Sequence, residues 1–184
     1  MESLFETFRA RAQAVSAEVH RFTAKSEALD FIAEFLESQT AGATESPVVW
    51  ADGPYLDSSD RERMRARVPA LTFEVTRERA ASAAAGITEI EWSIADTGTL
   101  AGDFRTAERR LASTLPPLHI ALTCTRAIQP DLPALFTRLH PRQSSYISLI
   151  TGPSRTADIE RVLTIGVHGP KRLIIVFVDE LEAQ

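Results

Sequence analysis

Apolar residues recur at helical spacing through the N-terminal part of the chain. Leu4, Phe5, Phe8, Ala12, Val15 and Val19 form one stripe, and Ala28, Leu29, Ile32, Phe35 and Leu36 form a second. This periodicity predicts helix over 2–39. Ser26 is placed to cap the second stripe, and His20 falls at the junction between the two. A loop follows at 40–43, with a linker near 40–46. Beyond it the texture changes. Val48-Val49-Trp50 reads as a short strand stopped by Ala51-Asp52-Gly53-Pro54. Ser58 or Ser59 caps a helix expected over 60–67, and Leu71–Val75 alternates as a strand does. The alanine-rich stretch 77–85 predicts a helix that Gly86 would end. Strands are expected at 90–95, 118–123, 146–150 and 173–178, and helices at 130–139 and 157–165. The final strand is apolar almost throughout, the pattern of one buried on both faces. Strand alternating with helix predicts an α/β domain with a largely parallel sheet. The expected division is an N-terminal helical extension over 1–40 and an α/β domain over 41–184.

Composition narrows the function classes. The chain has 184 residues, 44% hydrophobic and 24% charged, with a formal net charge of −5. That is enough chain for one substantial core. An acidic balance argues against nucleic acid, which demands a concentrated basic surface. The basic run Arg61, Arg63, Arg65, Arg67 has acids interspersed and reads as a solvated helix face. Cys124 is the sole cysteine. It lies in an apolar run and reads as a buried, inert thiol. One thiol builds neither a disulfide within the chain nor a four-cysteine iron–sulfur or zinc site, so no iron–sulfur cluster is expected on this chain. No apolar run approaches the roughly 20 residues of a membrane helix. The N-terminus is mixed and acidic, unlike a secretory signal. A cytoplasmic location is expected.

The candidate chemistry concentrates in three dense runs: Asp96-Thr97-Gly98-Thr99, Gly152-Pro153-Ser154-Arg155-Thr156-Ala157-Asp158, and Gly166-Val167-His168-Gly169-Pro170-Lys171. In the second, an apolar strand meets a glycine–proline turn and then the expected helix. A helix N-terminus offers unpaired N–H groups. The hydroxyls of Ser154 and Thr156 and the planar cation of Arg155 suit a carboxylate or a phosphate. Asp158 and Glu160 would repel such an anion and equally well stabilise the helix start, so structural capping stays open beside ligand binding. In the first run Gly98 permits a sharp turn, while Asp96, Thr97 and Thr99 either hold a ligand or satisfy the turn's own amides. Glu91 and Asp96 would project to opposite faces of a strand and make no catalytic pair. A helix over 157–165 would put about 15 Å between Arg155 and His168. His168 then either holds its own loop or completes a site across a subunit boundary. His119, entering a strand, reads as structural. Dinucleotide, phosphate-loop, zinc-protease and nucleophile-elbow signatures are absent from the sequence, and His140 lacks metal-ligand spacing to another histidine.

These runs, with Gly86-Ile87-Thr88, Ile94–Leu100 and Leu115-Pro116-Pro117-Leu118-His119-Ile120, resemble the LUD-domain family, of the lactate utilization protein C and YkgG type. The resemblance covers about residues 70–180. It implies a fold like the NagB/RpiA/CoA-transferase group. It also implies a role in oxidising L-lactate to pyruvate beside partner proteins that carry iron–sulfur clusters. The family usually places an apolar strand after Leu100, where this chain has the more polar Ala101–Arg105. The candidate ligand is a small carboxylate or a phosphate-bearing molecule, with Arg155 as its charge complement and Asp96 orienting neighbours. Two other classes stay open: a stand-alone enzyme of the CoA-transferase or cyclo-ligase kind, and a non-catalytic ligand-binding or scaffold protein. The sequence assigns no catalytic residue and no metal ligand.

Overall fold

The computed structural model describes residues 3–40, 46–157, 163–165 and 168–182. In chain order the elements are α1 (Leu4–Ala14), β1 (Glu18–Phe22), α2 (Lys25–Thr40), β2 (Val48–Trp50), α3 (Ser58–Arg67), β3 (Leu71–Thr72), α4 (Arg77–Ser82), β4 (Ala85–Ile90), β5 (Trp92–Ile94), β6 (Thr99–Asp103), α5 (Ala107–Thr114), β7 (Leu118–Cys124), β8 (Ile128–Gln129), α6 (Leu132–Phe136), β9 (Ile147–Ile150), β10 (Arg155–Ala157), β11 (Leu163–Ile165) and β12 (Arg172–Val178). Six strands form a wholly parallel sheet in the order β1-β12-β7-β4-β2-β3. A second sheet, β8-β5-β6-β9, is mixed, and β10 pairs with β11 as an antiparallel hairpin. Among the described residues no helix is long and apolar enough to cross a membrane.

The expected class is therefore present: a mixed α/β fold on a parallel sheet with a helix at its N-terminus. Period-two alternation explains the core. On β12, Ile174, Val176 and Val178 face a cluster with α2 and α3, while Leu173, Ile175 and Phe177 face a cluster with α1. Both sets are buried, so no polar face is left. The strand after Leu100 forms despite its polar composition, because Ala101 pairs with Trp92 on one side and Leu149 on the other.

Several local expectations are corrected. The helix over 2–39 is interrupted. Helix α1 ends at Ala14, and Ser16 takes a positive φ of 68°. Its N–H bonds the Gln13 carbonyl and that of Ala17 bonds Ala12. This is the left-handed stop that glycine usually supplies. The chain then enters β1, which pairs with β12 in register Glu18↔Ile174 to Phe22↔Val178. Glu18 and Arg21 suit its place at the sheet edge. Helix α2 starts at Lys25, ahead of Ser26, and the Glu27 carboxylate accepts from the Ala24 N–H at 3.1 Å. Helix α3 is capped by Asp57 rather than by Ser58 or Ser59: the Asp57 carboxylate accepts from the Asp60 N–H and the Asp60 carboxylate from the Asp57 N–H. Its arginines do more than meet solvent: Arg63 and Arg67 pair with Asp30 of α2, and Arg61 and Arg65 flank the Phe73 ring.

Gly86 does not end α4; that helix stops at Ser82, and Gly86 lies within β4. A Cβ there would come 1.9 Å from the Ala112 carbonyl oxygen, so α5 can approach only over glycine. The single strand expected over 90–95 is two strands in different sheets, β4 and β5. The helix expected over 157–165 is replaced, at its described ends, by the hairpin β10–β11. Thr156, Thr164 and Ile165 are β-branched and favour a strand. The expected linker falls largely on 41–45, outside the described residues.

Candidate functional site

All six strands of the main sheet point the same way, so their carboxyl ends form one edge. From β2 the chain steps outward to β3, returns to β4 on the other side of β2, and continues through β7 to β12. The direction of winding thus reverses between β2 and β4. Open α/β sheets bind ligands in the crevice at such a point. Here it holds a cleft of about 520 Å³. Asp52 and Gly53 follow β2, Phe73 follows β3, and Glu91 follows β4. The opposite wall is the end of β6 and the start of α5: Asp103, Arg105, Thr106, Glu108 and Arg109.

Arg109 organises this cleft. Its guanidinium holds both oxygens of Glu91, the second at 2.9 Å, and also bonds the carbonyls of Glu89 and, at 2.8 Å, Asp103. The Phe104 ring lies 4.7 Å from its central carbon. Strand β4, strand β6 and helix α5 are thereby tied at one fork, which only the planar, multi-donor arginine can supply. Arg105 pairs with Asp103, leaving the Asp103 Oδ1 buried without a partner. Four carboxylates and two guanidiniums line the cleft, and Arg61 answers Asp52 from outside it. Among the described residues no group of His, Cys, Asp and Glu converges to hold a metal ion.

Beneath Gly53 lies Glu89, 1% exposed. Its carboxylate accepts from the Tyr55 N–H and, at 3.2 Å, from the Trp50 indole. Burial outweighs those bonds and pushes its pKa up to about 7. The Tyr55 hydroxyl donates to the Ile90 carbonyl at 3.1 Å, and burial raises its pKa also.

The residues singled out from sequence lie elsewhere. Thr99 begins β6 and Asp103 ends it, about 13 Å apart on an extended strand. The motif residues gather around the end of α1. Gly98, at φ 65°, passes so close to Ala12 that a Cβ would meet its nitrogen at 2.3 Å; Gly152, at φ 72°, lies likewise against the Val15 carbonyl. Thr99 and Thr151 share a hydroxyl bond of 2.8 Å. Arg155 is exposed and donates to the Ser16 hydroxyl at 2.8 Å. Asp96 and Thr97 are exposed in their turn. Thr156 stands opposite Thr164 in the hairpin, and Asp158 lies outside the described residues.

The expected helix N-terminus at Ser154–Thr156 is not formed; Arg155–Ala157 is strand β10 instead. The expected separation of Arg155 from His168 falls too, because β10 and β11 fold back on each other. Ser154 N–H bonds the Pro170 carbonyl at 2.9 Å, and Gly169 packs on the Ser154 side chain. The runs at 152–156 and 168–170 are therefore neighbours, with His168 exposed. His119 is 1% exposed, bonds Thr88 at 2.8 Å and is pushed down to about 4 by burial, as a structural histidine would be. Sequence reasoning missed Glu89, Arg109 and Asp103. One signal was present: Glu89 continues the inward row Ala85, Ile87, where an apolar residue is expected.

Parallel sheet, reversal point and lined cleft define an α/β protein with a crevice at the carboxyl ends of its strands. The chain belongs to the LUD domain family, whose model matches residues 5–178. It is similar to lactate utilization protein C of Halalkalibacterium halodurans, 34% identical over 56% of this chain and 47% of the relative. It is similar also to the uncharacterized protein YkgG of Escherichia coli, 28% identical over 74% of this chain and 64% of the relative. The chain thus spans about half to two thirds of the length of these relatives. Its fold matches a crystal structure of a DUF162 family protein from Deinococcus radiodurans, with a TM-score of 0.59, 19% identity and coverage of 95% and 96% of the two chains.

Proposed function

We propose that this chain serves lactate utilization, as one component of a system that oxidises L-lactate to pyruvate. Membership of the LUD domain family, with relatives named lactate utilization protein C, carries the reading. Oxidation of lactate releases two electrons and two protons, so an acceptor is required. Cys124, alone and buried, offers no thiolate cage for a cluster. The acceptor in this reading is an iron–sulfur centre on partner proteins. A small carboxylate would sit in the cleft, where Arg105 is 60% exposed and free to exchange Asp103 for a ligand. Arg155 is the alternative contact, to a ligand or to an acidic surface of a partner.

A stand-alone CoA-transferase-like reading needs a free carboxylate nucleophile. Glu91, the carboxylate at the end of β4, is held through both oxygens by Arg109, which disfavours that chemistry.

The test is growth on L-lactate as sole carbon source of a deletion strain lacking redundant lactate dehydrogenases. It is complemented by the wild-type gene, by Arg105→Ala or by Arg155→Ala, each checked for folding. Loss of growth rescued by wild type supports the role. Failure of Arg105→Ala alone puts the ligand in the cleft, and failure of Arg155→Ala alone puts function at the 152–156 loop. Full growth without the gene refutes the lactate reading.

A further inference from the structure

Glu89 lies behind the cleft wall, beneath Gly53, whereas Arg109, Glu91 and Asp103 line the cleft itself. It shares the inward face of β4 with Ala85 and Ile87, against Val48 and Trp50 of β2. A carboxylate in such a bed is expected to have a cation on it. The donors on its carboxylate are instead neutral, chiefly the Trp50 indole and the Tyr55 backbone N–H. The second belongs to the loop 51–56, whose Asp52 and Gly53 line the cleft. Gly53 lies directly over the carboxylate; a Cβ there would be 2.6 Å from the Glu89 Cβ and 2.8 Å from its Oε2.

The other groups facing Glu89 are few. Arg61 of α3 acts on it through space, and Leu56 N–H adds to the loop's donors. Arg109 of α5 binds the Glu89 carbonyl rather than its carboxylate. Glu91 and the Cys124 thiol act, together with Glu89 itself, on the neighbouring Tyr55 hydroxyl.

We propose that Glu89 is the positioning residue of the cleft, a buried latch whose protonated carboxyl keeps the loop 51–56 closed against the sheet and whose ionisation loosens that wall. The physical reason is reciprocity. The closed loop takes the carboxyl out of water, which favours its neutral form more than the Trp50 and Tyr55 donors favour its charged form, so loop closure and retention of the proton support each other. Ionisation puts a charge beneath the loop that opening to water would hydrate. A ligand resting on Gly53 and ordering the loop would, by the same linkage, hold that proton in place. The latch stands on the packing of loop on carboxylate and does not depend on which ligand the cleft takes.

The test is NMR of the whole chain across neutral pH, with the glutamate side-chain carboxyls labelled with carbon-13. The Trp50 indole N–H is assigned in a Trp92→Phe background. The expected result is one glutamate carboxyl carbon titrating near neutrality. The Trp50 indole and Tyr55 amide signals follow it with the same midpoint, and all three responses vanish in Glu89→Gln. The proposal is overturned if every glutamate carboxyl titrates in the ordinary acidic range. It is overturned equally if the Trp50 and Tyr55 signals stay flat while a carboxyl titrates, or if they still move in Glu89→Gln. Should Glu89→Gln fail to fold, the wild-type spectra decide alone.

Discussion

Replacing Glu89 by glutamine keeps shape and hydrogen-bonding reach while removing the charge, so it isolates what ionisation costs in the core. The folded carboxyl titrates at about 7, against 4.5 for the free group. Between those values the folded protein holds a proton that the unfolded chain releases. The associated stability is full below 4.5 and is lost as pH rises through 7, in all about 3 kcal/mol at 1.36 kcal/mol per unit. His119 works in the opposite direction. Its folded value is about 4 against 6.5, so its stability is full above 6.5 and is lost as pH falls toward 4. In the wild type the two slopes oppose each other between about pH 4.5 and 6.5 and largely cancel. Glu89→Gln removes one slope and leaves the other. Its stability relative to wild type should rise by roughly 2–3 kcal/mol between about pH 5 and 8, and the variant alone should show the steep acid-side loss that His119 causes. Urea unfolding at a series of pH values measures this, with unchanged m-values showing that the states compared are the same. A difference constant to within about 0.5 kcal/mol over that range would refute the reasoning.

Gly98→Ala and Gly152→Ala should each destabilise by at least about 1–2 kcal/mol, because both positions have positive φ and at both an added Cβ would meet backbone atoms of the α1 region within 2.6 Å. Thermal unfolding should show a fall of several degrees for each. Arg109→Ala strands the Glu91 carboxylate, whose side chain is 17% exposed, and should cost about 3–5 kcal/mol in chemical denaturation. Arg109→Lys should recover little of this, since one ammonium cannot span both Glu91 oxygens; full recovery would show that charge alone matters there. Cys124 is buried, its pKa is raised by burial, and its thiol donates to the Leu181 carbonyl at 2.7 Å. A thiol reagent should leave the native protein unlabelled and label one thiol per chain on unfolding; rapid native labelling would contradict the burial.

The cleft and the motif cluster divide the labour along β6. At its start, Thr99, Gly98 and Gly152 let the second sheet approach α1. At its end, Asp103 and the neighbouring Arg109 tie that sheet to the carboxyl edge of the parallel one. A density of glycines and hydroxyls therefore marks a close backbone approach here, and the titratable groups with unusual surroundings lie at the other end.

Wherever a structural property is set by neighbours a few residues apart, the sequence determined it. Strands β7 and β12 were legible because alternating residues on both faces are apolar, and the helices α3 and α4 because short polar turns bound them. The parallel class followed from their order, and the burial of Cys124 from its apolar run. The strand β1 was not legible. Val15 and Val19 fall at helical spacing, and only Ser16 at positive φ and the waiting edge of β12 turn that stretch into a strand. The hairpin β10–β11 was not legible for a similar reason: acids near a glycine–proline turn imitate a helix start, while the pairing of Thr156 with Thr164 is settled across the hairpin. The cleft belongs wholly to tertiary structure. Its walls come from residues between Asp52 and Glu108–Arg109, brought together because parallel strands must be joined by long crossovers, and no local pattern records where those crossovers reverse.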